Sequence, residues 1–142
     1  AMQKVMKALT YSRAATELRG LRDQARDKGY IEVPRTLPPG FQMGSSTKPL
    51  PPYRVEATPT WFNYTLQSVE LWARSYAQYI AVRSGDATMM AELRRQQGRY
   101  TEAAKSWGTA VEPAVPIQWM DDDFEPIAQA MDVLFTALGW KK

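Results

Sequence analysis

Residues 59–82, PTWFNYTLQSVELWARSYAQYIAV, form the longest uninterrupted helical pattern in the chain. Phe62, Leu66, Val69, Ala73, Tyr76 and Ile80 recur at alternating steps of four and three, which sets them on one helix face. A second apolar line, Trp61, Trp72 and Tyr79 with Leu71 and Val82, runs beside it. Asn63, Gln67, Glu70, Arg74 and Gln78 fill the remaining strip. Roughly two thirds of the circumference is apolar or small, where a surface helix needs only a ~100° stripe. The stretch therefore predicts the central rod of a helical bundle, with neighbours on two sides.

Downstream, Ser84-Gly85-Asp86 predicts a tight stop and restart, with Gly85 left-handed and Asp86 capping the next helix. That helix, Ala87 to Gln97, turns Met89, Met90 and Leu93 inward and carries Arg94 and Arg95 outside, with Arg99 close by. Gly98 is expected to break or bend it, and a further helix to run from about Thr101 to Glu112. After Pro113 and Pro116 an extended segment offers Ile117, Trp119 and Met120 as pins. In the last helix Phe124, Ile127, Met131, Leu134 and Leu138 share one face. Asp122 and Glu125 have capping-box spacing, Pro126 is placed in the first turn, and Gly139 is the stop.

Upstream, residues 30–58 hold Pro34, Pro38, Pro39, Pro49, Pro51 and Pro52 with Gly40 and Gly44, which forbid a regular helix. Ile31, Val33, Leu37, Phe41 and Tyr53 are expected to anchor this segment across the bundle surface. Residues 2–29 read as helix up to a terminal Gly29. Val5 and Leu9 do not share a register with Ala14, Leu18 and Ala25, so a bend or fresh start is predicted near Thr10 to Ser12.

At 142 residues the chain fits a single domain, 1–142. It has no cysteine, which excludes disulfides and thiolate metal sites, and no histidine, which excludes Ser-His catalysis and histidine-held zinc. Cofactor and metal sites are not expected. No apolar run approaches the ~20 residues of a membrane span, and the N-terminus lacks the apolar region of a signal peptide, so a cytoplasmic location is expected. Residues 1–55 carry ten Lys/Arg and four Asp/Glu, and the remainder eight and eleven, so the net charge of +3 hides a basic first part.

Four groups of residues carry candidate chemistry. Asp121, Asp122, Asp123 and Glu125 could hold a hard cation, but a helix N-terminus favours acidic residues without one. Arg19, Arg22 and Arg26, with Arg94, Arg95 and Arg99, could contact phosphates, although Asp23, Asp27, Glu92 and Glu102 intervene. Pro49-Leu50-Pro51-Pro52-Tyr53-Arg54 fits the ligand pattern of SH3 domains and reads equally as a stiff strap. Twelve Trp and Tyr residues are many for this length; Trp72, Tyr79 and Trp140 could exceed what one small core buries.

Gly98, Tyr100, Ala103, Trp107 and Ala110 resemble the turn and second helix of a tetratricopeptide repeat. The resemblance covers half a repeat with no second copy, and implies a local helix-turn-helix rather than a solenoid.

These readings converge on an all-α fold: an irregular four- to five-helix bundle with a long proline-rich segment on its surface. The expected function is that of a non-enzymatic adaptor, or a small subunit of a larger assembly. It would bind a protein partner, a second copy included, through Trp72, Tyr79, Tyr100, Trp107, Arg94, Arg95 and Arg99. The alternative is a nucleic-acid-binding protein using Arg19, Arg22, Arg26, Arg94, Arg95 and Arg99.

Overall fold

The structure, a computed structural model, describes residues 1–33, 53–105 and 117–141; of Val33, Tyr53 and residues 98–105 it describes the backbone alone. Helices dominate it. α1 (Met2–Thr10) and α2 (Arg13–Lys28) are separate, as the shift in apolar register predicts. Ser12 starts α2, its Oγ accepting from the Ala15 N–H at 3.2 Å. Val5 and Leu9 face one core cluster, while Leu18 and Ala25 face another.

After Gly29 the chain is extended. β1 (Tyr30–Val33) pairs antiparallel with β2 (Tyr53–Glu56), placing Ile31 opposite Val55 and Glu32 opposite Arg54. A two-stranded sheet thus stands where the sequence predicts only irregular chain. Ile31 is an anchor, buried with Leu18, Ala25 and Phe62. Leu37, Phe41 and the SH3-like run up to Pro52 lie outside the described residues.

The predicted rod is two helices, α3 (Pro59–Thr65) and α4 (Ser68–Ser84), joined through an extended Gln67. No glycine or proline marks the break. The Thr65 carbonyl, which would accept from Val69 in a continuous helix, accepts from the Arg74 guanidinium instead. The register shifts across the break. Of the six residues expected on the inner face only Phe62 is buried, whereas Val69 is 74% and Tyr76 40% exposed. α4 turns Leu71, Ser75, Gln78, Tyr79 and Ala81 inward.

The centre of the larger core is α6 (Asp121–Ala137), not residues 59–82. Its Phe124, Ile127, Ala128, Met131, Leu134 and Phe135 pack with Val5, Leu9, Leu71, Tyr79 and Trp119. The face predicted from sequence holds from Phe124 to Leu134, while Leu138 is exposed. Pro126 lies inside this helix rather than in its first turn, and so leaves the Asp122 carbonyl without a helical donor. Gly139 takes φ 75°, and the Trp140 N–H then reaches back to the Phe135 carbonyl at 2.8 Å. This Schellman closure sets Trp140 beside the helix end.

α5 (Ala87–Lys105) begins as expected, with Asp86 accepting from the Met89 N–H at 2.9 Å after a left-handed Gly85. It then continues through Gly98, so the predicted break and the repeat-like turn are absent there. A mid-helix glycine costs about 1 kcal/mol, which the surrounding helix absorbs. α1 packs on α6 and α4, α5 on α4, and α2 on α3 and β1. No helix among the described residues is long and apolar enough to cross a membrane.

Residues 117–123 tie these elements together. The Trp119 indole N–H donates to Ser12 Oγ at 2.9 Å. Gln78 donates to the Trp119 carbonyl at 2.8 Å and accepts from its N–H at 3.2 Å, and Gln97 donates to the same carbonyl at 2.8 Å. Arg74 donates to the Ile117 carbonyl at 2.6 Å and lies over the Trp119 ring.

The acidic cluster lies in the first turn of α6, whose N-cap is Met120, and completes the tie. Asp121 takes Arg94 and Gln97, and Asp122 takes Arg13 through two bonds of 2.9 and 3.2 Å. Asp123 accepts from the backbone N–H groups of Arg13 and Ala14, the first turn of α2. The bonds from Arg94 and Arg13 hold the Asp121 and Asp122 carboxyls below their usual range. Asp123→Ala removes an acceptor from two helix-start donors and is expected to cost about 1–2 kcal/mol in urea unfolding. Asp27→Ala, on an exposed pair, should change stability by less than about 0.5 kcal/mol.

Candidate interaction surface

Val69, Trp72, Tyr76 and Tyr79 step by three and four along one side of α4. α6 meets that side with Phe135. The Phe135 ring centre lies 6.4 Å from Trp72, 5.9 Å from Tyr76 and 5.1 Å from Tyr79, all edge-on or tilted. Trp140, placed by the Gly139 closure, stacks on Phe135 at 5.5 Å, and Trp72 stacks on Tyr76 at 6.1 Å. Five aromatic rings therefore share one end of the α4–α6 pair. Their depths differ: Phe135 is buried beneath them and Tyr79 is 5% exposed, whereas Trp140 is 71% exposed.

A charged cluster borders the rings. Asp132 accepts from the Tyr79 hydroxyl at 2.6 Å and from Arg83 at 2.7 and 3.2 Å, and pairs with Lys141. Partial burial alone would raise the Asp132 carboxyl, but the bonds from Arg83, Lys141 and Tyr79 outweigh it and hold the acid well below the usual carboxylate range. Burial, then the bond to Asp132, pushes the Tyr79 phenol up. The Arg83 guanidinium also lies 5.7 Å from the Tyr79 ring centre. The cluster fixes Tyr79 as a support for the exposed rings.

Of the residues expected to form one binding face, the described ones are not gathered in one place. Trp72 and Tyr79 belong to this aromatic end, but Tyr79 is a core residue there. Arg94 is tied to Asp121, fourteen positions before Phe135 on α6, a separation of roughly 21 Å along the helix. Arg95 pairs with Glu92 on α5. Trp107 and the side chains of Arg99 and Tyr100 lie outside the described residues. The arginine that borders the aromatic end is Arg83. Tyr76, read as an inner-face position in sequence, Phe135 and Trp140 complete the surface.

The α2 arginines have local partners. Arg22 lies on Asp23, Arg26 on Asp23 and Asp27, and Arg19 donates to the Thr10 carbonyl and the Thr16 hydroxyl. No protein-family model, curated protein or solved structure matches the chain.

Proposed function

We propose that the chain is a non-enzymatic interaction protein, an adaptor or a subunit of a larger assembly, that docks a protein partner on the aromatic end of the α4–α6 pair. The observation that carries this reading is Trp140: a tryptophan locked in place by a glycine turn and a stacked Phe135, yet 71% open to solvent. Rigid exposed aromatics beside an arginine have the composition of binding hot spots, because they give large contact area at little entropic cost. Tyr76 and Trp72 extend the patch, and Val69 continues it along α4.

The test is affinity capture from the native cell, followed by titration of the captured protein. Trp140→Ala and Tyr76→Ala are expected to weaken binding at least tenfold each, as hot-spot truncations of about 2 kcal/mol do, with helix content unchanged. Binding indifferent to both substitutions removes this reading.

Nucleic-acid binding has less in its favour, since Arg22, Arg26, Arg94 and Arg95 already lie against carboxylates. A titration with DNA and RNA at two salt concentrations separates the readings, because phosphate-driven binding falls steeply with salt.

A further inference from the structure

We propose that the outer edge of β2 is a self-pairing site through which two copies of the chain join their hairpins into a four-stranded antiparallel sheet. This edge is distinct from the aromatic end and the inference does not depend on it.

The edge follows from the register. The Ala57 N–H bonds to the Gly29 carbonyl, continuing the β1–β2 ladder, so the directly bonded pairs are the odd-numbered ones, Ile31 with Val55 and Val33 with Tyr53. The backbone groups of Glu32 and Tyr30 therefore point away from β2. That side is already blunted, because Gln24 Oε1 accepts from the Glu32 N–H at 2.9 Å and α2 packs against β1. On β2 the groups pointing outward are the N–H and C=O of Arg54 and Glu56. Among the described residues nothing bonds to them, no carboxylate pairs with the Arg54 side chain and no cation with that of Glu56. Both residues are exposed.

What fits such an edge is set by its sequence. When β2 is laid antiparallel against a second β2 with Val55 opposite Val55, Arg54 falls opposite Glu56 and Glu56 opposite Arg54. In that register the outward-pointing groups are the ones that meet, so four backbone hydrogen bonds form across a two-fold axis. Opposed residues share a sheet face, so each arginine lies beside a glutamate. The Arg54 guanidinium lies 4.8 Å from the Tyr30 ring centre, which holds it on that face. On the opposite face Val55, half-buried over Ile31, meets its own copy and continues the apolar strip. Charge, hydrogen-bond phase and apolar face agree in one register. A slip by one residue would face the outward groups with ones already bonded to β1.

Four backbone bonds make a weak, concentration-dependent dimer, so the test is sedimentation equilibrium of the full chain over a concentration series up to about 1 mM, the range of weak contacts. Arg54→Glu places like charges at both symmetric positions, and so does Glu56→Arg. Each should weaken self-association about tenfold. Mixed one to one, the two variants should associate with each other, since the all-acidic edge of the first then faces the all-basic edge of the second at both positions. A loss caused by damage to the hairpin would not be rescued by mixing. Arg54→Pro removes an outward N–H without touching the bonds to β1 and should abolish pairing. A wild-type chain that stays monomeric throughout the series overturns the proposal. So does a dimer indifferent to these substitutions, or one that mixing fails to restore.

Discussion

Trp119→Ala is expected to destabilise the protein by about 4 kcal/mol, within the range for removing a large buried aromatic. Total stabilities of small domains run to about 5–15 kcal/mol, so the variant should be largely unfolded at modest urea. The effect is large because Trp119, 1% exposed, fills the space where the Ser12 junction, α4, α5 and α6 meet. The backbone at that position also carries three of the buried bonds. Trp119→Phe helps to separate the two contributions: it keeps a ring against Phe124, 5.9 Å away, and loses the donor to Ser12 with part of the indole's volume. It should cost about 1–2 kcal/mol. Equal losses for Phe and Ala in urea unfolding would mean that filling the junction matters little.

The second large effect is electrostatic. Asp132→Asn removes the charge that Arg83, Lys141 and the buried Tyr79 hydroxyl share, and should cost about 2 kcal/mol at neutral pH. The sign of its pH dependence is fixed by the depressed acid. Folding holds Asp132 ionised, so its contribution is complete above the ordinary carboxylate value of 3.8 and is lost progressively as pH falls below it. The wild type should therefore exceed the Asn variant from about pH 5 to 7 and converge on it at strongly acid pH. A stability difference that is constant down to pH 2 would place the effect in packing rather than charge.

The sequence is most readable where one residue type has one local job. Ser12, Gly29, Gly85, Asp86 and Gly139 stand at helix ends in the structure as their chemistry requires. The Phe124–Leu134 face is legible because every position on it is apolar and buried. α4 misleads for the opposite reason. Its inner side must satisfy the backbone at Trp119, so Gln78 is buried there beside Ser75, while Tyr76 and Val69 face water. A reading by hydrophobic period then selects the outside of the helix. The acidic run misleads in the same way: its carboxylates serve α2 and α5, elements remote in sequence, and spacing alone points them at their own helix. Of the candidate surface, Trp72 and Trp140 stand out by type, but their union over Phe135 depends on how α4 and α6 pack.

The packing of α1 against α6 has a consequence for how the chain comes into being. A nine-residue helix is not stable alone in water, and the apolar side of α1, which α4 covers in part, is fully covered only when α6, more than a hundred positions later, arrives. At synthesis rates of about 5–20 residues per second, α1 waits several seconds for α6 with Val5 and Leu9 incompletely covered. Assembly is thus a ring closure, slower than in bundles whose neighbours are adjacent in sequence.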